Sequence, residues 1–141
     1  MGRVIEAGKS VNADLIVEIT GDCPLIDPTL VEQAIQIYIN NNVDYVNNNS
    51  VKSYPDGMDV RIFELETLIK SYKLTNSRLD KEHVALHIKK NPQIFSFINI
   101  IAPPNLFYPH LGLTLDETAD YELIKKIIEY FGKKNNLFNC E

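Results

Sequence analysis

The 141-residue sequence contains no tryptophan, two cysteines, three arginines and six glycines, and each scarcity removes a class of protein. Cys23 and Cys140 form no Cys-x-x-Cys pair and have no Cys or His at metal-ligand spacing, so neither a disulfide framework nor a zinc site is expected. That cysteine usage fits a reducing, cytoplasmic setting. Arg3, Arg61 and Arg78 are scattered, and 14 Lys+Arg against 19 Asp+Glu leave a net charge of −5. Nucleic-acid binding draws on clustered cations that neutralise phosphates, so no nucleic-acid partner is expected. No apolar run approaches the roughly 20 residues that span a bilayer. The opening stretch, interrupted by Glu6, reads as neither signal peptide nor anchor, so no membrane partner is expected either. The glycines form no Gly-x-Gly and no glycine-rich phosphate loop, which leaves a nucleoside triphosphate without an obvious cradle.

What is present is an ordinary globular composition, 45% hydrophobic and 23% charged. At this length one core can form without disulfides or structural metal. Apolar spacing predicts a helix over 3–12 and a strand over 13–20. Leu15, Ile16, Val17 and Ile19 are too continuous for a half-solvated strand, so burial on both faces, as in a parallel sheet, is expected. Asp27 followed by Pro28 signals a helix start, and residues 28–39 place Leu30, Val31, Ala34, Ile35, Tyr38 and Ile39 on one face. Strands are predicted over 43–46 and 58–63, helices over 64–72 and 79–90, an extended segment over 95–101, a last strand over 111–115 and a closing helix over 118–131. Residues 47–57 form the longest loop, and the alternation favours an α/β layered domain.

Two segments share a design in which an apolar strand delivers an aspartate just ahead of a helix: residues 16–21 deliver Asp22, and residues 111–115 deliver Asp116. In open α/β sheets, ligands bind beyond the carboxyl ends of the strands. Two carboxylates there suit Mg²⁺, whose other positions are filled by substrate phosphates and water. Each aspartate equally fits a turn or helix cap. Tyr54-Pro55-Asp56-Gly57 followed by Met58-Asp59-Val60 has the composition of a tight turn entering a strand. Glu82-His83 falls within a helical pattern, and Tyr45, Tyr54, Tyr72, Phe63 and Phe95 read as core or rim aromatics.

Taken in order, Thr20-Gly21-Asp22-Cys23-Pro24-Leu25-Ile26-Asp27-Pro28, then Tyr54 to Val60 with Phe63, then Glu82-His83-Val84, Asn91-Pro92, Leu113-Thr114-Leu115-Asp116 and Asp120 to Ile124 resemble the cytidylyltransferases that make CMP-activated sugars. The spore coat polysaccharide and acylneuraminate type is the group most resembled. The resemblance implies a Rossmann-like nucleotidyltransferase α/β/α sandwich that transfers CMP from CTP to a sugar acid and releases pyrophosphate. It implies Mg²⁺ on Asp22 and Asp116, and substrate contacts in the sugar-side and dimer-side region from Tyr54, Asp56, Gly57, Asp59, Glu82 and His83. A homodimer is expected because a parallel sheet lacking its first βα units would expose a hydrophobic flank near Leu15–Ile19. The sequence departs from the pattern in two places. The family's opening strand and Gly-rich loop with Arg and Lys have no counterpart, so residues 1–141 read as a partial domain, the C-terminal two-thirds, expected to be inactive in isolation. Gly112 stands where members commonly carry Arg. The alternative expectation is a non-catalytic remnant serving as a dimeric structural or interaction module.

Overall fold

In the computed structural model of the protein, residues 1–133 and residue 139 are described, and Cys140 lies outside them. The chain runs α1 (Gly2–Ser10), β1 (Leu15–Glu18), α2 (Pro28–Ile39), β2 (Tyr45–Asn47), β3 (Arg61–Glu64), α3 (Leu65–Leu74), α4 (Arg78–Glu82), α5 (Leu86–Lys90), β4 (Phe97–Asn99), a 3₁₀ turn (Pro104–Leu106) and α6 (Thr118–Gly132). The strands form one sheet in the order β1-β3-β2-β4. β3 runs antiparallel to both neighbours, while β2 and β4 are parallel, so β1, β2 and β4 share a direction and β3 opposes them. The expected parallel partner of β1 is therefore not found; its described neighbour is the antiparallel β3, and its residues are half-buried.

Alternation along the strands sorts side chains to two faces. Tyr45, Phe63, Ile16 and Phe97 enter one core with Ile5 of α1, Leu65 and Leu68 of α3 and Ile88 of α5. Val46, Ile62, Val17 and Ile98 enter the other with Leu30, Ala34 and Tyr38 of α2 and Ile124 of α6. The result is a three-layer α/β/α arrangement, which explains why β1 reads as a continuous apolar run. Pairs of facing aromatics, Tyr45 with Phe63 at 6.2 Å and Tyr45 with Phe97 at 6.4 Å, fill the first layer. No described helix is long and apolar enough to cross a membrane.

Two further expectations are corrected. Residues 111–115 form no strand; among the described residues their one ladder contact is an isolated parallel bridge between Gly112 and Asp56. The predicted helix over 79–90 is two helices, because His83 takes extended backbone angles and Leu86 N–H turns back to the His83 carbonyl. That break lets Ala85 and Ile88 reach the core while Glu82 and His83 stay exposed. The tripeptide Gly8-Lys9-Ser10, which carries the closing letters of a nucleotide-binding loop, is the last turn of α1. A helix C-terminus presents carbonyls, whereas a phosphate cradle needs the N–H groups of an N-terminus. Gly8 instead lets the helix pack on Leu65 and Ile16.

Candidate functional site

Three loops meet beyond the carboxyl end of β1. In the first, Thr20 to Asp27, the Thr20 hydroxyl lies 3.0 Å from Cys23 Sγ, and Cys23 N–H donates to the Thr20 carbonyl. The Thr20 hydroxyl also bonds the Asp22 carboxylate and holds its pKa below the usual carboxylate range. Burial pushes the Cys23 thiol up, so it is a packing group here rather than a nucleophile. In the second loop, the Asn48 side chain donates to the Met58 carbonyl at 2.6 Å and accepts from Val60 N–H at 2.9 Å, pinning the turn to the strand that follows. The third segment, residues 111–115, stitches the other two together. Asp56 N–H donates to the Leu111 carbonyl, Leu113 N–H to the Asp56 carbonyl, and Leu115 N–H to the Asp22 carbonyl at 2.8 Å.

That last bond sets the residue before Asp116 against the backbone of Asp22, so the two aspartates stand on adjoining loops although 94 positions separate them in the chain. Neither caps the helix it precedes. Asp27 caps α2 by accepting from Thr29 N–H at 2.8 Å, and the Asp120 carboxylate accepts from the N–H groups of Asp116 and Glu117 at the start of α6. Both candidate ligands are exposed. Among the described residues no three His, Cys, Asp or Glu side chains cluster closely enough to hold a metal alone. Two accessible carboxylates fit Mg²⁺, which keeps several waters and usually shares its shell with substrate phosphates.

Beside this loop cluster opens a cavity of about 540 Å³. The break between α4 and α5 delivers Glu82 and His83 to its wall, α5 supplies Lys89 and Lys90, and Glu18, Thr20 and Arg61 form the side toward the sheet. A line of polar contacts runs along that side. Asn49 donates to Asp59 at 2.7 Å, Asp59 pairs with Arg61 at 3.2 Å, and Arg61 pairs with Glu18 at 3.5 Å across the β1–β3 register. Arg61, Glu18 and Asp59 are 22%, 14% and 25% exposed, so the guanidinium is shared between two carboxylates in a setting too closed for solvent to screen them fully. Burial raises the pKa of Glu18, and the Arg61 charge opposes that shift.

Of the residues singled out from sequence, Glu82 and His83 line the cavity, and Asp59 reaches it through Asn49 and Arg61. Asp56 and Gly57 lie on the bridge to residues 111–115. Tyr54 is buried in the core beside α2 and lines a separate cavity of about 330 Å³ with Asp27 and Leu30. Glu18, Arg61, Asn49 and Lys89 were not singled out. The available signal was a charge, Glu18, inside an otherwise apolar strand, together with a matching arginine in the strand entered from the turn.

The profile of the Cytidylyltransferase family matches residues 1–138. An uncharacterized protein of Methanocaldococcus jannaschii is 30% identical over 131 residues, covering 93% of this chain and 53% of the relative. The spore coat polysaccharide biosynthesis protein SpsF of Bacillus subtilis is 27% identical over 142 residues, covering 100% and 58%. A 3-deoxy-manno-octulosonate cytidylyltransferase of Trichlorobacter lovleyi is 44% identical over 39 residues, 28% of this chain and 16% of the relative. The structure of a cytidylyltransferase from Leptospira borgpetersenii superimposes with a TM-score of 0.85 at 26% identity, covering 99% of this chain and 65% of that one. The chain thus spans a little over half the length of the two curated relatives it matches end to end.

Proposed function

The chain belongs to the cytidylyltransferase family, and from that premise we propose that it carries the metal-binding carboxylates and the acceptor pocket of an enzyme that transfers CMP from CTP to a sugar acid. The observation that carries this reading is the Leu115 N–H bond to the Asp22 carbonyl, which brings the Asp22 and Asp116 loops together, while Thr20 of the first of those loops lines a cavity of about 540 Å³. Asp22 and Asp116 would hold Mg²⁺, which, when bound, offsets triphosphate charge as a sugar oxygen attacks the α-phosphorus and pyrophosphate leaves. The Thr20 hydroxyl favours the charged form of the Asp22 carboxylate. Glu82 and His83 would contact the acceptor, and the bridge through Asp56 and Gly57 would hold the loops in place.

Turnover needs cations and backbone N–H groups on the triphosphate, and the 141 residues contain no Gly-rich phosphate loop. This stretch alone is therefore expected to release no pyrophosphate. We propose further that it forms a homodimer, a reading supported by exposed Val11 and Ile19 flanking the half-buried strand β1. Titration calorimetry with CTP and Mg²⁺ tests the metal site. Asp22→Ala and Asp116→Ala should each weaken binding at least about tenfold, the loss of a charge-assisted contact. Absent binding by the native protein, or binding unchanged from native in either variant, overturns the shared site. Pyrophosphate release that vanishes in Asp22→Ala would overturn the expected inactivity.

A further inference from the structure

The cavity beside β1 carries two groups whose bonding the protein leaves incomplete. Glu18 Oε1 faces Arg61, but Glu18 Oε2 is buried and has no hydrogen-bond partner among the described residues. Arg61 cannot make up the difference, because Asp59 shares its guanidinium. In the same cavity the Lys89 ammonium bonds the Asn49 carbonyl oxygen at 3.1 Å and forms no ion pair among the described residues. Its neighbour Lys90 differs, being paired with Asp80 at 3.5 Å. Both incomplete groups line the same cavity, with Leu79, Val84 and Leu86 contributing an apolar wall.

A buried acceptor without a donor is costly, and an unneutralised ammonium at a cavity wall attracts an anion. The charge of Glu18 is already met by Arg61, so what Oε2 lacks is a donor rather than a second cation. A ligand complementary to this cavity carries a carboxylate for Lys89, a hydroxyl donor for Glu18 and a carbon skeleton for the apolar side chains. We infer that Lys89 and Glu18 are the recognition residues of this cavity, Lys89 pairing with the carboxylate of a polyhydroxy acid and Glu18 accepting a hydroxyl hydrogen from its chain or ring. The inference rests on the acceptor-pocket reading above and adds to it the residues that tell a sugar acid from a neutral sugar.

The test is binding of 3-deoxy-manno-octulosonate and of its methyl ester to the protein, without nucleotide, by titration calorimetry. The native protein should bind the acid at least about tenfold more tightly than the ester, as expected for one charge-assisted contact. Lys89→Met should erase that preference. Glu18→Met should weaken the acid about tenfold, because it removes the acceptor for the ligand hydroxyl and supplies no polar group in its place. Circular dichroism confirms that each variant is folded, and the acid-to-ester comparison needs no variant at all. No binding of the acid, equal binding of acid and ester, or unchanged binding in both variants overturns the inference. Such a result with Asp22-dependent CTP binding intact overturns this inference alone, whereas loss of the Asp22 dependence with the acid preference intact overturns only the metal site.

Discussion

Gly57 shows how one residue can hold two loops together. Its φ of +102° lies where L side chains rarely go, and a Cβ there would stand 2.7 Å from the carbonyl carbon and oxygen of Leu113. Both facts follow from the close approach of residues 56–57 to 111–113, which the Asp56 and Leu113 hydrogen bonds enforce. Gly57→Ala should therefore cost on the order of 2–3 kcal/mol, strain and displaced backbone together. Gly112, on the facing segment, has open space where a Cβ would go and no positive φ. Gly112→Ala should stay within about 0.5 kcal/mol of the native protein. Urea unfolding of both variants measures the contrast, and equal losses would remove Gly57 from its structural role. Pro55-Asp56-Gly57 was legible as a turn from composition, but nothing local indicated what the glycine approaches.

At the scale of elements, helix α2 shows how well local rules can work. Asp27 and Pro28 specify its start, and of the face predicted from spacing Leu30, Ala34 and Tyr38 are buried and Val31 and Ile35 partly so, while Ile39 at the helix end is exposed. The cap is buried and bonds Thr29 N–H, so Asp27→Ala should cost about 1 kcal/mol and lower the thermal midpoint by roughly 3–5 °C. Differential scanning calorimetry checks this, and an unchanged midpoint would refute the cap. Helices α4 and α5 show the reverse. Residues 79–90 have helical spacing throughout, yet the chain breaks at His83, because burying Ala85, Ile88 and His87 requires a change of direction that spacing does not encode. His87 meets Ser71 of α3 at 3.0 Å only because of that turn, and Glu82 and His83 reach the cavity for the same reason.

At the scale of the whole molecule, the described sheet ends in β1 on one side and in β4 on the other. β3 lies between β1 and β2, while β1 has a strand on one side only among the described residues. Apolar side chains along that side, Val11 and Ile19, are exposed, and unsatisfied strand edges and apolar patches tend to find partners. Light scattering should accordingly return about twice the monomer mass of 16.1 kDa at high concentration. A monomer mass under those conditions would refute the homodimer.

The sequence by itself determined the α/β class, the apolar run of β1, the start of α2, the closing helix and the family resemblance, since each rests on short-range periodicity, capping chemistry or motifs a few residues long. It also pointed to Asp22, Asp116, Glu82 and His83. Only the tertiary structure decided that β3 runs antiparallel to its neighbours, that residues 111–115 stitch loops instead of forming a strand, and that Glu18 meets Arg61 across the sheet. Those outcomes depend on backbone hydrogen bonds between segments up to 93 positions apart, as from Asp22 to Leu115. Such bonds form between any residues with a free N–H and carbonyl, so the side chains that carry the sequence signal do not record them.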